Sequence, residues 1–148
     1  MSNISKDQWI SLLKSTAFFK AFEDHEINKI VENADLLHFK MHQYIIKENE
    51  EDFSFFVIIK GHANVINKAQ SSSPPEQLLT INAGECFGEM AVITKQTRTN
   101  FVIAGSECYV MKVNGATIDN FDESIQLKLY KQFSLILTKR LQSSFSPS

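Results

Sequence analysis

The stretch GECFGEMAVITKQTRTNF, residues 84–101, combines residue types that suit the binding of a phosphate ester attached to a sugar. Gly88 stands before a short apolar segment, where backbone N–H groups at a helix start can bind an anion. The guanidinium of Arg98 can donate to two phosphate oxygens, and the carboxylate of Glu89 can accept from a sugar hydroxyl. The segment therefore predicts a binding site for a sugar phosphate.

The sequence shows no set of residues suited to catalysis or to metal binding. No Ser-His-Asp order, pair of catalytic acids or cluster of metal ligands stands out. The four histidines show no ligand-like spacing with Cys86 and Cys108, and these two cysteines are interpreted as reduced, buried thiols. The sequence thus predicts a binding protein that is not an enzyme and holds no metal or cofactor.

The secondary structure predicted around this segment changes along the chain from helix to strand and back to helix. Ser5 and Gln8 have the spacing of a capping box before a first helix, and a second helix is predicted from about Asp24. From residue 36 to 113, short runs rich in Ile, Val and Phe alternate with turns, which indicates a small jelly-roll β-barrel. A long helix with a broad apolar stripe is predicted from about Glu123 to Leu141.

These elements predict one α+β domain over residues 1–148, in which a jelly-roll β-barrel is flanked by N-terminal helices and a long C-terminal helix. The helices take up about 1–35, the barrel 36–113, and a helical lid and tail 114–148. The Ser- and Pro-rich stretch 68–77 is interpreted as an exposed hairpin loop.

Charge and hydropathy exclude several classes of partner. The chain of 148 residues carries 15 basic and 17 acidic side chains, a net charge of −2, which argues against direct DNA binding. No basic leader with an apolar run opens the chain, and no apolar stretch has the length of a membrane span. We therefore expect a cytoplasmic protein without membrane contact.

The order Phe-Gly-Glu-Met-Ala-Val-Ile, followed five residues later by Arg-Thr, resembles the phosphate-binding cassette of cyclic nucleotide-binding domains. The segment LLKSTAFFKAF resembles the entry helices of this family, and FFVIIKGHANV resembles its strand, turn glycine and returning strand. The resemblance covers nearly the whole chain. It implies the ligand cAMP or cGMP and a ligand-driven movement of the C-terminal helix that is passed to an effector protein.

The resemblance also implies the residues that bind the cyclic phosphate. In the family, a glycine at the position of Gly88 lets the ligand approach the backbone. The amides of the following residues, here Met90 and Ala91, contact the phosphate. Arg98 would pair with the exocyclic phosphate oxygens, because a guanidinium matches two oxygens and stays charged. Thr99 could add its hydroxyl and amide to the same anion.

The ribose and base contacts follow from the same resemblance. Glu89 would accept from the ribose 2′-OH, beside Gly88. Thr99 can reach the amino group of a guanine held in the syn form, which favours cGMP without excluding cAMP. Within the C-terminal helix, Tyr130 and Phe133 are the residues expected to cover the base, because aromatic side chains stack on either purine.

Two hypotheses of different classes remain open. The first is a stand-alone cyclic-nucleotide receptor, which ends at LQSSFSPS without an output domain and signals to a separate, unidentified protein or through a homodimer of its C-terminal helix. The second is a degenerate scaffold that no longer binds nucleotide. It is suggested by departures from the residues common in the family, at His42, Asn49, Lys95, Thr97 and Asn100.

Overall fold

Eight strands form two four-stranded antiparallel sheets in the computed structural model, which describes residues 5–67 and 76–145. The strands are β1 (Asp35–Phe39), β2 (Tyr44–Ile46), β3 (Ser54–Lys60), β4 (His62–Asn67), β5 (Glu76–Asn82), β6 (Cys86–Phe87), β7 (Phe101–Ala104) and β8 (Cys108–Asn114). One sheet has the order β1-β8-β3-β6 and the other β2-β7-β4-β5. The α+β jelly roll is confirmed, as two facing sheets rather than one closed barrel. Most of the predicted loop 68–77 lies outside the described residues.

Two N-terminal helices and the long C-terminal helix flank the strands in sequence, as predicted, and one short helix lies between β6 and β7. The helices are α1 (Lys6–Lys14), α2 (Asp24–Glu32), α3 (Glu89–Thr94), α4 (Gly115–Ile118) and α5 (Glu123–Phe145). The capping box at Ser5 and Gln8 is formed, and α5 runs four residues beyond its predicted end. None of the helices within the described residues has the length and apolarity needed to cross a membrane.

Strand β3 is buried on both faces, which explains its uninterrupted apolar run. Phe55 and Val57 pack with the helices in one core, while Phe56 and Ile58 pack in a second core with apolar residues of both sheets. Successive side chains of a strand point to opposite faces, so a strand between two cores needs apolar residues at every position. Strand β3 therefore contacts the helices with one face and the apolar residues between the two sheets with the other.

A buried acid joins the two helical ends of the chain. Glu26 of α2 is 2% exposed and accepts hydrogen bonds from the Glu23 amide and the Ser124 hydroxyl, both at 2.8 Å, and from Lys128. Burial alone would raise the pKa of Glu26, but these hydrogen bonds outweigh it and lower the pKa to about 2. The contacts fasten the first turns of α5 to α2.

Among residues 5–67 and 76–145, three non-glycine residues adopt left-handed backbone angles, and all three are sites at which the sequence departs from the family pattern. They are His42 with φ of 75°, Asn49 with φ of 70° and Lys95 with φ of 59°. A side chain with a Cβ is strained in this region, although asparagine tolerates it better than histidine. The backbone therefore keeps a glycine-like shape at these positions without glycine.

We expect His42→Gly to stabilise the protein by ~0.5–1 kcal/mol, because relief of the left-handed strain exceeds the entropy lost by glycine. The His42 side chain is exposed, and the hydrogen bond from its amide to the Ala104 carbonyl remains available to glycine. Urea unfolding followed by the fluorescence of Trp9, the sole tryptophan, measures the change. Asn49→Gly is the matched control and should gain less; an equal gain would contradict the strain argument.

Candidate functional site

Gly88 lies where β6 passes into α3, and it allows the backbone to approach β3 closely. Its φ is 83°, in the left-handed region. A Cβ at this position would lie 2.9 Å from the Ser54 carbonyl oxygen and 3.1 Å from Nη1 of Arg98. Both the conformation and the close approach require glycine here. Gly88 thus brings the start of α3 and the guanidinium of Arg98 together.

Arg98 is a buried cation that has backbone carbonyls as its hydrogen-bond acceptors. It is 6% exposed, and it donates from Nη1 to the Gly88 carbonyl at 2.8 Å and from Nη2 to the Ser54 carbonyl at 2.6 Å. Its buried Nε has no partner among the described residues. Burial lowers the pKa of Arg98, whereas the charges of Asp52 and Glu50 raise it. A buried charge without an ion pair is costly, so this group is suited to receive an anion.

The turn that precedes β3 holds the backbone of Arg98 in place. The Asn49 amide donates to the Arg98 carbonyl at 2.8 Å, and the Arg98 amide donates to the Glu50 carbonyl at 3.2 Å. The left-handed conformation of Asn49 allows this reciprocal pairing. Asn49 and Glu50 therefore position Arg98 through their backbone, while the charges of Asp52 and Glu50 help to keep it protonated.

Glu89, the first residue of α3, is buried and contacts the far end of α5. It is 2% exposed, and Nη1 of Arg140 lies 3.3 Å from each of its carboxylate oxygens. Arg140 also donates from Nη2 to the Cys86 carbonyl at 2.8 Å. Burial raises the pKa of Glu89, and the positive charge of Arg140 offsets only part of this shift. Arg140 thereby links α5 to Glu89, the residue that the family resemblance assigns to the ribose contact.

One cavity of about 300 Å³ brings together the residues predicted to bind phosphate and ribose. Its polar lining comes from the cassette and from Arg140, and its apolar lining comes mainly from both sheets and α3. The predicted site residues on its wall are Gly88, Glu89, Met90, Ala91, Arg98 and Thr99. Thr97 and Asn100, two of the departures from the family pattern, also line it, and the Asn100 side-chain amide lies 3.4 Å from the Thr99 hydroxyl.

The structure does not bring Tyr130 and Phe133 to the wall of this cavity, and the contact expected between their rings and the base is not formed in this conformation. Phe133 is fully buried, with its ring centroid 5.0 Å from that of Phe55 and 6.3 Å from that of Phe18. Tyr130 packs edge-on against Phe133 at 5.7 Å. The apolar face of α5 is used by the core, and Arg140 is the residue of α5 that reaches the cavity.

Arg140 could not be identified from the sequence. Near the end of an amphipathic helix, a basic residue is favoured by the helix dipole alone, and this accounts for its presence without a specific partner. The acid it meets lies 51 residues earlier in the chain. Among the described residues, no group of three or more His, Cys, Asp or Glu side chains is arranged to hold a metal ion.

The jelly roll and the cavity together define a ligand-binding domain with a cationic centre, a buried acid and an apolar wall. A family model for the cyclic nucleotide-binding domain matches residues 36–124. The chain therefore belongs to the cyclic nucleotide-binding domain family.

Relatives of known function include cGMP-dependent protein kinases. Mouse cGMP-dependent protein kinase 2 is 28% identical over 122 residues, covering 79% of this chain and 16% of the kinase. Isozyme 1 of the Drosophila melanogaster enzyme is 31% identical over 106 residues, covering 69% of this chain and 14% of the kinase. The chain thus spans less than a fifth of the length of these relatives.

Solved structures share the fold over most of the chain. The regulatory domain of Toxoplasma gondii protein kinase A, crystallised with cAMP, has a TM-score of 0.73 and 26% identity, covering 87% of this chain and 49% of that one. A cyclic nucleotide-binding domain from Methylobacillus flagellatus has a TM-score of 0.80 at 15% identity, covering 95% of this chain and 80% of that one. At that identity, the second likeness concerns the fold alone.

Proposed function

We propose that this protein is a receptor for a cyclic purine nucleotide, cAMP or cGMP, and has no catalytic activity of its own. The observation that carries the proposal is the buried guanidinium of Arg98, which donates to two backbone carbonyls on the wall of a cavity that also contains Glu89. The two groups match the phosphate and the ribose hydroxyl of one ligand. A scaffold that had lost its ligand would gain nothing from two buried charged side chains beside one cavity.

The proposed response to the ligand runs through Arg140. In the described conformation, both oxygens of Glu89 face Nη1 of Arg140. A ribose hydroxyl at Glu89 adds a second partner to the same carboxylate, so ligand binding and the position of the end of α5 are coupled. A ligand changes this position to the extent that it binds one arrangement of α5 better than the other.

The receiver of this signal is proposed to be a separate effector protein. Support comes from the apolar side chains that α5 exposes among the described residues, which are Leu127, Leu135 and Leu141. Association of two copies through α5 stays a prediction. Ile125, Leu129 and Phe133 of α5 are buried in the core, and the three exposed leucines occupy other positions of the helix.

Thermal unfolding with cAMP, cGMP, 5′-AMP and 5′-GMP tests the proposed receptor against the scaffold. A ligand that binds only the native state raises its stability by mass action, by about 2.7 kcal/mol at 100 times its dissociation constant. We expect a cyclic nucleotide to raise the midpoint, with a much smaller effect of the 5′-monophosphates. No shift with either cyclic nucleotide would favour the scaffold.

We expect Glu89→Gln to weaken ribonucleotide binding about tenfold and to remove most of the penalty for a missing 2′-OH. The neutral amide is a weaker acceptor than a carboxylate, and hydrogen bonds to charged groups contribute ~1.5–3 kcal/mol. Calorimetry with a cyclic nucleotide and its 2′-deoxy analogue measures both effects. Glu85→Gln, in the exposed turn before β6, is the control. If the Glu89 variant still discriminates against the deoxy analogue as strongly as the parent, Glu89 does not contact the ribose.

A further inference from the structure

A second cavity, of about 250 Å³, shares Leu79 and Arg140 with the cavity that contains Arg98 and Glu89. The rest of its lining comes from the segment between α1 and α2, from β5, β6 and the turn between them, and from the last turns of α5. Arg98 and Glu89 line the first cavity and are not part of the second. The second cavity is therefore a separate space that touches the proposed nucleotide site through two residues.

Contacts outside the second cavity hold each of its walls in place. The ring of Phe18 packs edge-on against that of Phe19, with 4.9 Å between the ring centroids. Gly84 has a left-handed φ of 87°, and its amide donates to the Ile58 carbonyl at 2.7 Å. Arg140 donates from Nη2 to a carbonyl of β6 at 2.8 Å. The cavity is thus formed before a ligand arrives, as is usual for small-molecule sites.

The lining of the second cavity combines apolar side chains with two cations of α5. Phe18 and Ile136 supply apolar surface, and the neighbouring residues Lys139 and Arg140 carry the positive charges. Among the described residues, Lys139 forms no ion pair. Glu85, the acid of this lining, accepts from the amide at the start of its own turn at 2.6 Å. An apolar ligand with one negative charge complements this set of groups.

We propose that the second cavity binds a small aromatic carboxylate. Its ring lies against Phe18 and Ile136, because aromatic pairs gain from stacked or edge-on contact in addition to apolar burial. Its carboxylate lies at Lys139 and Arg140, because charge-assisted hydrogen bonds are stronger than neutral ones. This site uses none of the phosphate contacts assigned to Arg98, so its existence does not depend on the proposed function.

Arg140 makes the second cavity a regulatory site for the nucleotide. Nη1 of Arg140 lies 3.3 Å from both carboxylate oxygens of Glu89, so a bound carboxylate competes with Glu89 for this cation. Burial already raises the pKa of Glu89, and withdrawal of the positive charge raises it further and weakens the acceptor offered to a ribose hydroxyl. The carboxylate therefore weakens binding of the nucleotide, and linkage makes the effect reciprocal. This consequence, unlike the site itself, rests on the proposed function.

Amide NMR spectra of the ¹⁵N-labelled protein, titrated with indole-3-acetate and with the neutral indole-3-acetamide, test the site without any nucleotide. We expect shifts around Phe18, Gly84 and Ile136 with the acetate, and about threefold weaker binding of the acetamide, because a partly exposed charge pair contributes up to about 1 kcal/mol. No shifts at about 10 mM acetate, where even a millimolar dissociation constant gives binding, would overturn the proposed site. Equal affinity for the two compounds would exclude the carboxylate contact.

Variants of the lining assign the shifts to this cavity. Ala17 is exposed and lines the cavity, so Ala17→Phe should fill it and abolish the shifts, with circular dichroism as a check on folding. Lys139→Ala should weaken binding of indole-3-acetate about threefold. Lys131→Ala, an exposed position of α5 outside the lining, is the matched control and should bind like the parent. Shifts that persist in Ala17→Phe would show that the compound binds elsewhere and would overturn the site.

Calorimetry with cGMP and cAMP, in the presence and absence of saturating indole-3-acetate, tests the regulation. We expect the carboxylate to weaken nucleotide binding about fivefold in the parent and to have no effect in Ala17→Phe. Unchanged nucleotide affinity in the parent, with indole-3-acetate bound, would overturn the competition for Arg140. Absence of nucleotide binding by the parent would overturn the proposed function and the regulation with it, whereas the NMR titration still decides whether the second site exists.

Discussion

Arg98→Ala is expected to weaken binding of cAMP and cGMP by about 30-fold to several thousand-fold, which corresponds to ~2–5 kcal/mol. The guanidinium is buried at the cavity beside Gly88, whereas Arg140, a second cation on the cavity wall, lies against the Glu89 carboxylate. Its removal also leaves the carbonyls of Gly88 and Ser54 without their present donors, which water can replace. Calorimetry with the parent and the variant measures the loss.

Two further variants make this prediction specific. Arg98→Lys keeps the positive charge but loses the two-pronged donor geometry, so its affinity should fall between those of the parent and Arg98→Ala. Lys95→Ala removes an exposed charge from the same segment, and Lys95 does not line the cavity; it should change the affinity less than about threefold because exposed charges are screened. An Arg98→Ala variant that is folded and binds like the parent would exclude residues 84–101 as the phosphate site.

Glu26→Gln is expected to destabilise the protein by ~2 kcal/mol. The substitution keeps the shape of the side chain but leaves the ammonium of Lys128 without its buried carboxylate, and loss of one partner of a buried pair costs ~3–5 kcal/mol. The smaller figure applies here because the Lys128 side chain is 29% exposed and can regain water. Urea unfolding followed by Trp9 fluorescence measures the change. Glu32→Gln, on an exposed position of the same helix, is the control and should stay within about 0.5 kcal/mol.

The same carboxylate predicts how stability depends on pH. Its pKa falls from an ordinary value of 4.5 to about 2 in the folded protein, so the ionised form is favoured by folding. Its contribution is complete above the ordinary pKa and is lost as the pH falls from about 4.5 towards 2. The stability difference between the parent and Glu26→Gln should therefore shrink over this range. A constant difference from pH 6 to pH 3 would show that the Glu26 charge does not stabilise the fold.

Local patterns in the sequence were sufficient for most of the elements. The capping box at Ser5 and the alternation of apolar runs with turns depend on neighbouring residues, and the structure contains both. Gly88, Glu89 and Arg98 stand within eleven residues, so their types and order, and the family resemblance that this order carries, could be recognised in one short segment. This part of the site was therefore predictable because its residues are close together in the sequence.

The contacts of α5 could not be predicted in the same way. An amphipathic stripe shows that one face is buried, but it does not show which layer covers it. Phe133 faces the aromatic cluster of Phe18 and Phe55, and Arg140, seven residues later, reaches the cavity.

In the pairing of β4 with β5, Val65 faces Leu79 and Ile66 faces Gln77, so Leu78 is an extra residue that forms a β-bulge. This bulge depends on pairing with another strand, so alternation along β5 alone gives no sign of it.

A crystal structure of the protein with bound cGMP or cAMP tests the central claim most directly. We predict one nucleotide in the cavity, with its phosphate accepting hydrogen bonds from the guanidinium of Arg98 and from backbone amides at the start of α3. The ribose 2′-OH should lie against Glu89. A nucleotide bound elsewhere, or a cavity that stays empty at saturating ligand while Arg98 donates only to the Gly88 and Ser54 carbonyls, would contradict the account.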